Sequence, residues 1–271
     1  MNYEEAKCIP ISAVREKIRR IKFTVPKNAN TVEFLEAYLK AIGEDYTRVD
    51  ALRWLNNMFG ESGNYVCSKK AAKVKKEKRS SDWRILQEIE LEDLALVRCL
   101  ERKGIGLDIA RQYLKEIYIR NRKKRESMYA LGFKNEEGDY VAFNPFIDEQ
   151  IGKPGITIIR CNKKSRKVIH VFENFMDMLA AFTAFPKLPK NYDVICLNSP
   201  NLITQSFAYL TSDTYKKVYS WMPNNKRGIK QIKQLNASIK KQQGMKHMIC
   251  NEVYHGHVDV ISWWKHQSKT A

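Results

Sequence analysis

The spacing of apolar residues changes period repeatedly along the chain, and each change predicts an element. Phe34, Leu35, Tyr38, Leu39 and Ile42 share one helical face, with Thr31 placed to cap the helix and Gly43 to end it. Val49, Leu52, Leu55, Met58 and Phe59 point inward from a second helix, about Arg48 to Phe59, which Gly60-Glu-Ser-Gly63 stops. Trp54 extends that inward face. Ser12 to Lys22 is a basic amphipathic stretch. Its Arg15, Lys17, Arg19, Arg20 and Lys22 lie either along a phosphate backbone or on a solvated helix face. Residues 1–66 therefore read as a small helical unit.

Residues 67–84 carry almost nothing to bury. Lys69, Lys70, Lys73, Lys75, Lys76, Lys78 and Arg79 repel one another, so a flexible basic linker is expected. Such a run serves either as a solubilising tether or as an arm that docks on phosphates, and the basic remainder of the chain favours the arm.

Regular patterning resumes at Trp83. Leu94, Leu96, Val97 and Leu100 line a helix ending at Arg102-Lys-Gly104, and Ile105-Gly-Leu-Asp108 opens another. Strand-like runs follow at 117–119, 127–133, 139–143 and 155–160, with Asn135-Glu-Glu-Gly138 as a hairpin turn. Val168 to Phe172 is apolar apart from His170, the pattern of a strand buried on both faces. Phe175, Met178, Leu179 and Phe182 then take up helical spacing. Further strands are expected at 192–197, 217–222 and 246–252, with helices at about 202–210, from Gly228 to about Gln243, and around Val260–Trp264. Four strand–helix alternations predict an α/β fold with a parallel sheet flanked by helices.

Charge narrows the function. Lys and Arg number 48 against 30 Asp and Glu, a net charge of +18, which attracts polyanions such as DNA or RNA. No apolar run reaches the roughly 18 residues that span a bilayer, and the polar start Met1-Asn-Tyr-Glu-Glu lacks a signal-peptide core, so no membrane contact and a cytoplasmic location are expected. The six cysteines are scattered without a C-x-x-C pair, which argues against a structural zinc site. His255-Gly-His257 lacks a third metal ligand nearby, and Gly152-Lys-Pro-Gly155 lacks phosphate-loop spacing.

The best candidate for chemistry is Glu173, at the joint where strand turns into helix, followed one turn later by Asp177. The plainer reading is that both acids favour a helix N-terminus. Lys-Val-Ile-His-Val-Phe-Glu-Asn-Phe-Met-Asp resembles the Glu-Gly-Phe/Tyr-Met-Asp motif of Toprim domains in bacterial-type primases. The blocks of 85–271, with a Toprim-like part at about 165–271, also look like small primase-like proteins of mobile elements in the Bacteroides group. The resemblance implies that Glu173 does acid–base work and that an Asp-x-Asp pair and a later Asp hold Mg²⁺. Here the Asp-x-Asp stretch reads Pro223-Asn224-Asn225, Asn174 replaces the motif glycine, and Asp259 is the only later acid that matches. The zinc-binding segment of the family is missing, since residues 13–66 contain neither Cys nor His. Mg²⁺ requires anionic oxygens, so no cofactor and a catalytically inactive nucleic-acid-binding protein of a mobile-element or phage process are expected. The surface would comprise the arm, Arg120, Arg122, Lys123, Lys124 and Arg125, and Lys226, Arg227, Lys230 and Lys233. Two alternatives stay open: a residual Mg²⁺-dependent primase or nuclease using Glu173, Asp177 and Asp259, and a protein-interaction adaptor.

Overall fold

The computed structural model describes residues 3–43, 47–60, 81–124, 126–162 and 167–270. The chain divides into two compact units, both discontinuous in sequence. The first comprises 1–102, 113–133 and 140–153, and the second 103–112, 134–139 and 154–271.

The first unit opens with four helices, α1 (Tyr3–Lys7), α2 (Ile11–Lys17), α3 (Thr31–Ala41) and α4 (Arg48–Phe59). Asn30, not Thr31, caps α3: its side chain accepts from the Val32 and Glu33 N–H groups, while the Thr31 hydroxyl bonds to the Ile9 carbonyl. α4 buries Trp54 and Leu55 and leaves Val49 about half exposed, so the inward face is rotated from the expected one. Asp50, next to Val49, is buried and pairs with Arg53 and Arg102. α2 is short, and residues 18–26 leave the helical path.

β1 (Trp83–Ile89) begins inside the stretch expected to be linker, and Trp83 is buried. Then come α5 (Leu94–Arg102), α6 (Leu107–Tyr113), whose residues 107–112 belong to the second unit, β2 (Leu114–Asn121), β3 (Ser127–Lys134), β4 (Tyr140–Asn144) and β5 (Ile147–Ile151). The five strands form a sheet of order β1-β2-β3-β4-β5, antiparallel at β1–β2, β2–β3 and β4–β5. The expected fold class contained only a parallel sheet. This second sheet corrects it: short turns join β2 to β3, β3 to β4 and β4 to β5 and allow only antiparallel pairing there, while β1 joins β2 antiparallel across α5 and α6.

The second unit holds β6 (Thr157–Ile159), β7 (Val168–Phe172), α7 (Phe175–Ala184), α8 (Leu188–Asn191), β8 (Asp193–Cys196), α9 (Ile203–Ser206), β9 (Lys217–Trp221), α10 (Lys226–Lys240), β10 (Lys246–Ile249) and α11 (Val260–Thr270). Its sheet has the order β10-β9-β7-β8-β6, with β10, β9, β7 and β8 parallel and β6 antiparallel to β8. The helix expected over 202–210 is only one turn. Strand alternation sorts the two faces. Ile169, Val171, Ile195 and Val218 pack with Leu235 and Ile239 of α10 in an aliphatic core. The other face is aromatic: His170 stacks on Tyr219 at 4.8 Å and Phe172 on Trp221 at 5.3 Å, as their cross-strand register dictates. Trp221 Nε1 donates to His170 Nδ1 at 2.9 Å, and burial pushes the imidazole pKa down to about 4, so His170 is a neutral core residue.

Candidate functional site

The order of the parallel strands locates the site. The chain leaves β7 towards β8 on one side and leaves β9 towards β10 on the other. Ligands bind where such connections diverge, outside the carboxyl ends of the two strands. Phe172 and Trp221 are register partners, so Glu173 and the Met222–Pro223 turn are the first positions beyond the sheet.

Glu173 is 3% exposed, and its Oε1 accepts from the Arg227 guanidinium at 2.5 Å. Oε2 is buried without a hydrogen-bond partner among the described residues. Burial raises the Glu173 pKa, and the Arg227 charge and hydrogen bond oppose the rise. Asp177, in the first turn of α7, is buried and works as a clamp. Oδ1 accepts from the Ile261 N–H of α11 at 2.9 Å, and Oδ2 from the Asn174 amide at 2.7 Å. Burial, then the nearby Asp259 charge, pushes its pKa up to about 7. Asp259 caps α11 by accepting from the Ser262 N–H at 2.9 Å. The three acids singled out in the sequence thus lie within electrostatic reach of one another. Two of them are engaged in holding helix starts.

The stretch aligned with the metal motif is also structural. Asn225 caps α10 by accepting from the Gly228 N–H at 3.0 Å. Asn224 donates its backbone N–H to the Val258 carbonyl at 2.6 Å and its amide to the His257 carbonyl at 2.9 Å. Pro223 offers no side-chain ligand, and its carbonyl oxygen lies 1.9 Å from where a Cβ on residue 228 would sit, so the turn requires Gly228. This donor set does not fit Mg²⁺. The fully buried carboxylate of Asp177 is bonded through both oxygens, Glu173 is paired with a guanidinium, and the motif aspartates are absent. Among the described residues no group of three or more His, Cys, Asp or Glu is placed to hold a metal ion.

Lys226, Arg227, Lys230 and Lys233 are exposed on α10, and the spacing of 226, 230 and 233 puts the three lysines on one stripe. In the first unit Arg122, Lys123 and Lys124 are exposed at the β2–β3 turn and Arg120 is half-buried. Lys123 pairs with Asp82 at 2.9 Å. Arg125 and the arm residues Lys69, Lys70, Lys73, Lys75, Lys76, Lys78 and Arg79 lie outside the described residues. Lys17 leaves the basic set. Its ammonium donates to the Met58 and Ser127 carbonyls at 3.0 and 3.2 Å, and burial lowers its pKa to about 8. The sequence reading missed the role of Arg227 as a counter-ion and the buried Gln231, whose side chain acts on Glu173 and helps Arg227 to hold its pKa down. A signal existed: α10 opens with Lys-Arg and no acid, against the helix dipole, which asks for a nearby anion.

A family model described as a domain of unknown function, DUF8464, matches residues 85–152. No curated protein matches the chain. Among solved structures it is similar to the primase fragment of the bacteriophage T7 primase-helicase, at 11% identity over 75% of this chain and 82% of that one, with a TM-score of 0.47. It is also similar to a chain from the bacteriophage T7 lagging-strand DNA polymerase with primase domains bound to an RNA/DNA hybrid and dTTP. There the identity is 13% over 62% and 80% of the two chains, with a TM-score of 0.31. No helix among the described residues is long and apolar enough to cross a membrane.

Proposed function

We propose that this chain binds DNA or RNA through a Toprim-like core that no longer performs metal-dependent transfer, and that it does so in the cytoplasm within a mobile-element or phage nucleoprotein process. The observation that carries the reading is the Arg227–Glu173 pair. A guanidinium neutralises the one sheet-edge acid that the Toprim resemblance makes catalytic. The same helix, α10, then presents Lys226, Lys230 and Lys233 to solvent. A crevice that exchanges an anionic metal site for a cationic helix face favours polyanions over cations.

The test is fluorescence anisotropy with single-stranded DNA, duplex DNA and RNA across a salt series, with and without Mg²⁺. Expected is salt-steep binding that Mg²⁺ does not change and that Glu173→Gln does not weaken. Mg²⁺-dependent nucleotide incorporation or strand cleavage lost in Glu173→Gln would install the residual-enzyme reading instead. No binding at about 0.15 M salt, where phosphate contacts still hold a specific complex, would leave the protein-adaptor reading.

A further inference from the structure

A second basic surface lies in the first unit. Arg15 and Glu16 at the end of α2, Arg19, Arg20 and Phe23 of the irregular segment, and Lys124 of the β2–β3 turn line an open cleft of about 740 Å³. That size accommodates a nucleotide. Four cations face one acid, Glu16, within the lining. Arg15 lies over the Phe34 ring at 4.8 Å, and neither it nor Arg20 has an ion-pair partner among the described residues. Arg19 reaches Asp148 only at 3.8 Å with both side chains about half exposed, a contact of little strength. Lys124 donates to the Glu16 carbonyl at 2.8 Å, which leaves its charge unneutralised. Glu126 acts on Lys124 and Lys17 and so offsets part of this charge. Like charges gathered this way raise the energy of the free protein and lower it when a polyanion binds.

The floor adds a second element of recognition. Phe23 is half-buried, packs against Phe34 at 5.3 Å and Tyr38 at 5.6 Å, and also borders a second open cleft on the same segment. An aromatic ring beside guanidinium groups suits a strand whose bases are free to stack, and a paired duplex offers no such base. We propose that this cleft binds single-stranded nucleic acid, with Arg15, Arg19, Arg20 and Lys124 on successive phosphates and Phe23 against a base. The inference extends the nucleic-acid reading but uses residues outside α10, so the two stand or fall separately.

The experiment uses the full chain and a labelled oligo-dT of about 16 nucleotides, the upper site size for a small single-strand-binding module. Arg19→Ala/Arg20→Ala is expected to weaken binding about tenfold and to flatten the log–log salt slope by about 1.4, two contacts at roughly 0.7 each. Phe23→Leu keeps the apolar floor and is expected to weaken binding at least about fivefold with the slope unchanged. Light-driven crosslinking of a 5-iodouracil version to wild-type protein is expected to mark the peptide containing residues 15–24. Crosslinks that avoid this peptide, or wild-type binding and slope in both variants, overturn the proposal. If Lys226→Ala/Lys230→Ala/Lys233→Ala alone weakens binding, the cleft fails and the α10 reading stands. If only the cleft variants weaken it, the reverse holds.

Discussion

Asp177 joins two helices that are far apart in sequence: it sits in the first turn of α7 and accepts from the backbone that starts α11. Its raised pKa sets a sign. The folded carboxyl holds a proton up to about pH 7, while the unfolded chain releases it in the ordinary carboxylate range. The site therefore stabilises the fold fully at low pH, and that contribution is lost as pH rises from about 4 to 7. Asp177→Asn, always neutral, should gain on wild type over that interval, by up to about 1.4 kcal/mol per pH unit. Paired urea melts at several pH values measure it, and a pH-independent difference would exclude titration at Asp177. Gly228→Ala should cost at least about 2 kcal/mol, because its methyl group meets the Pro223 carbonyl and the turn must open. A melt matching wild type would show that the turn yields freely.

At the scale of elements, α10 combines a buried stripe through Leu235 and Ile239 with an exposed one through Lys226, Lys230 and Lys233. Replacing those three lysines by Ala should flatten the salt slope for oligonucleotide binding by about 2, with little loss of stability. Unaltered slopes would place the phosphates elsewhere. The joint of β7 and α7 was legible in the sequence because the apolar period changes abruptly at Glu173. β1 was not, because Trp83-Arg-Ile-Leu-Gln-Glu-Ile emerges directly from a charge run that masks its alternation. β5 was not, because Ile147 and Ile151 enclose three polar residues. The strands at 127–133 and 139–143 and the hairpin turn between them were legible, but the addition of β1, β2 and β5 to form one antiparallel sheet was not. At the site the residue types were readable and their bonds were not. Nothing local says that Arg227 turns inward to Glu173 or that Lys17 serves two backbone carbonyls.

For the whole molecule, a net charge of +18 governs encounter more than residence. The association rate with an oligonucleotide should fall steeply as salt rises while dissociation changes less. Stopped-flow traces in which only dissociation responds would contradict this. The second unit also depends on its own early segment, residues 103–112. Trp264 Nε1 donates to the Gly104 carbonyl at 2.6 Å, and the Gly106 N–H donates to Thr183 Oγ1 at 3.2 Å. Residues 154–271 alone should therefore melt earlier than they do in the full chain, and supplying residues 103–112 in trans should raise the melting temperature again.

The ion pair at Glu173 has one more consequence. Arg227 pairs with that buried carboxylate and is itself more than half exposed. A phosphate that draws the guanidinium away strands the carboxylate, whose proton affinity then rises further. Ligand capture would become proton uptake. The dissociation constant of wild type should then tighten as pH falls, the Glu173→Gln profile should be flatter, and the calorimetric enthalpy of wild type should change with the ionisation heat of the buffer.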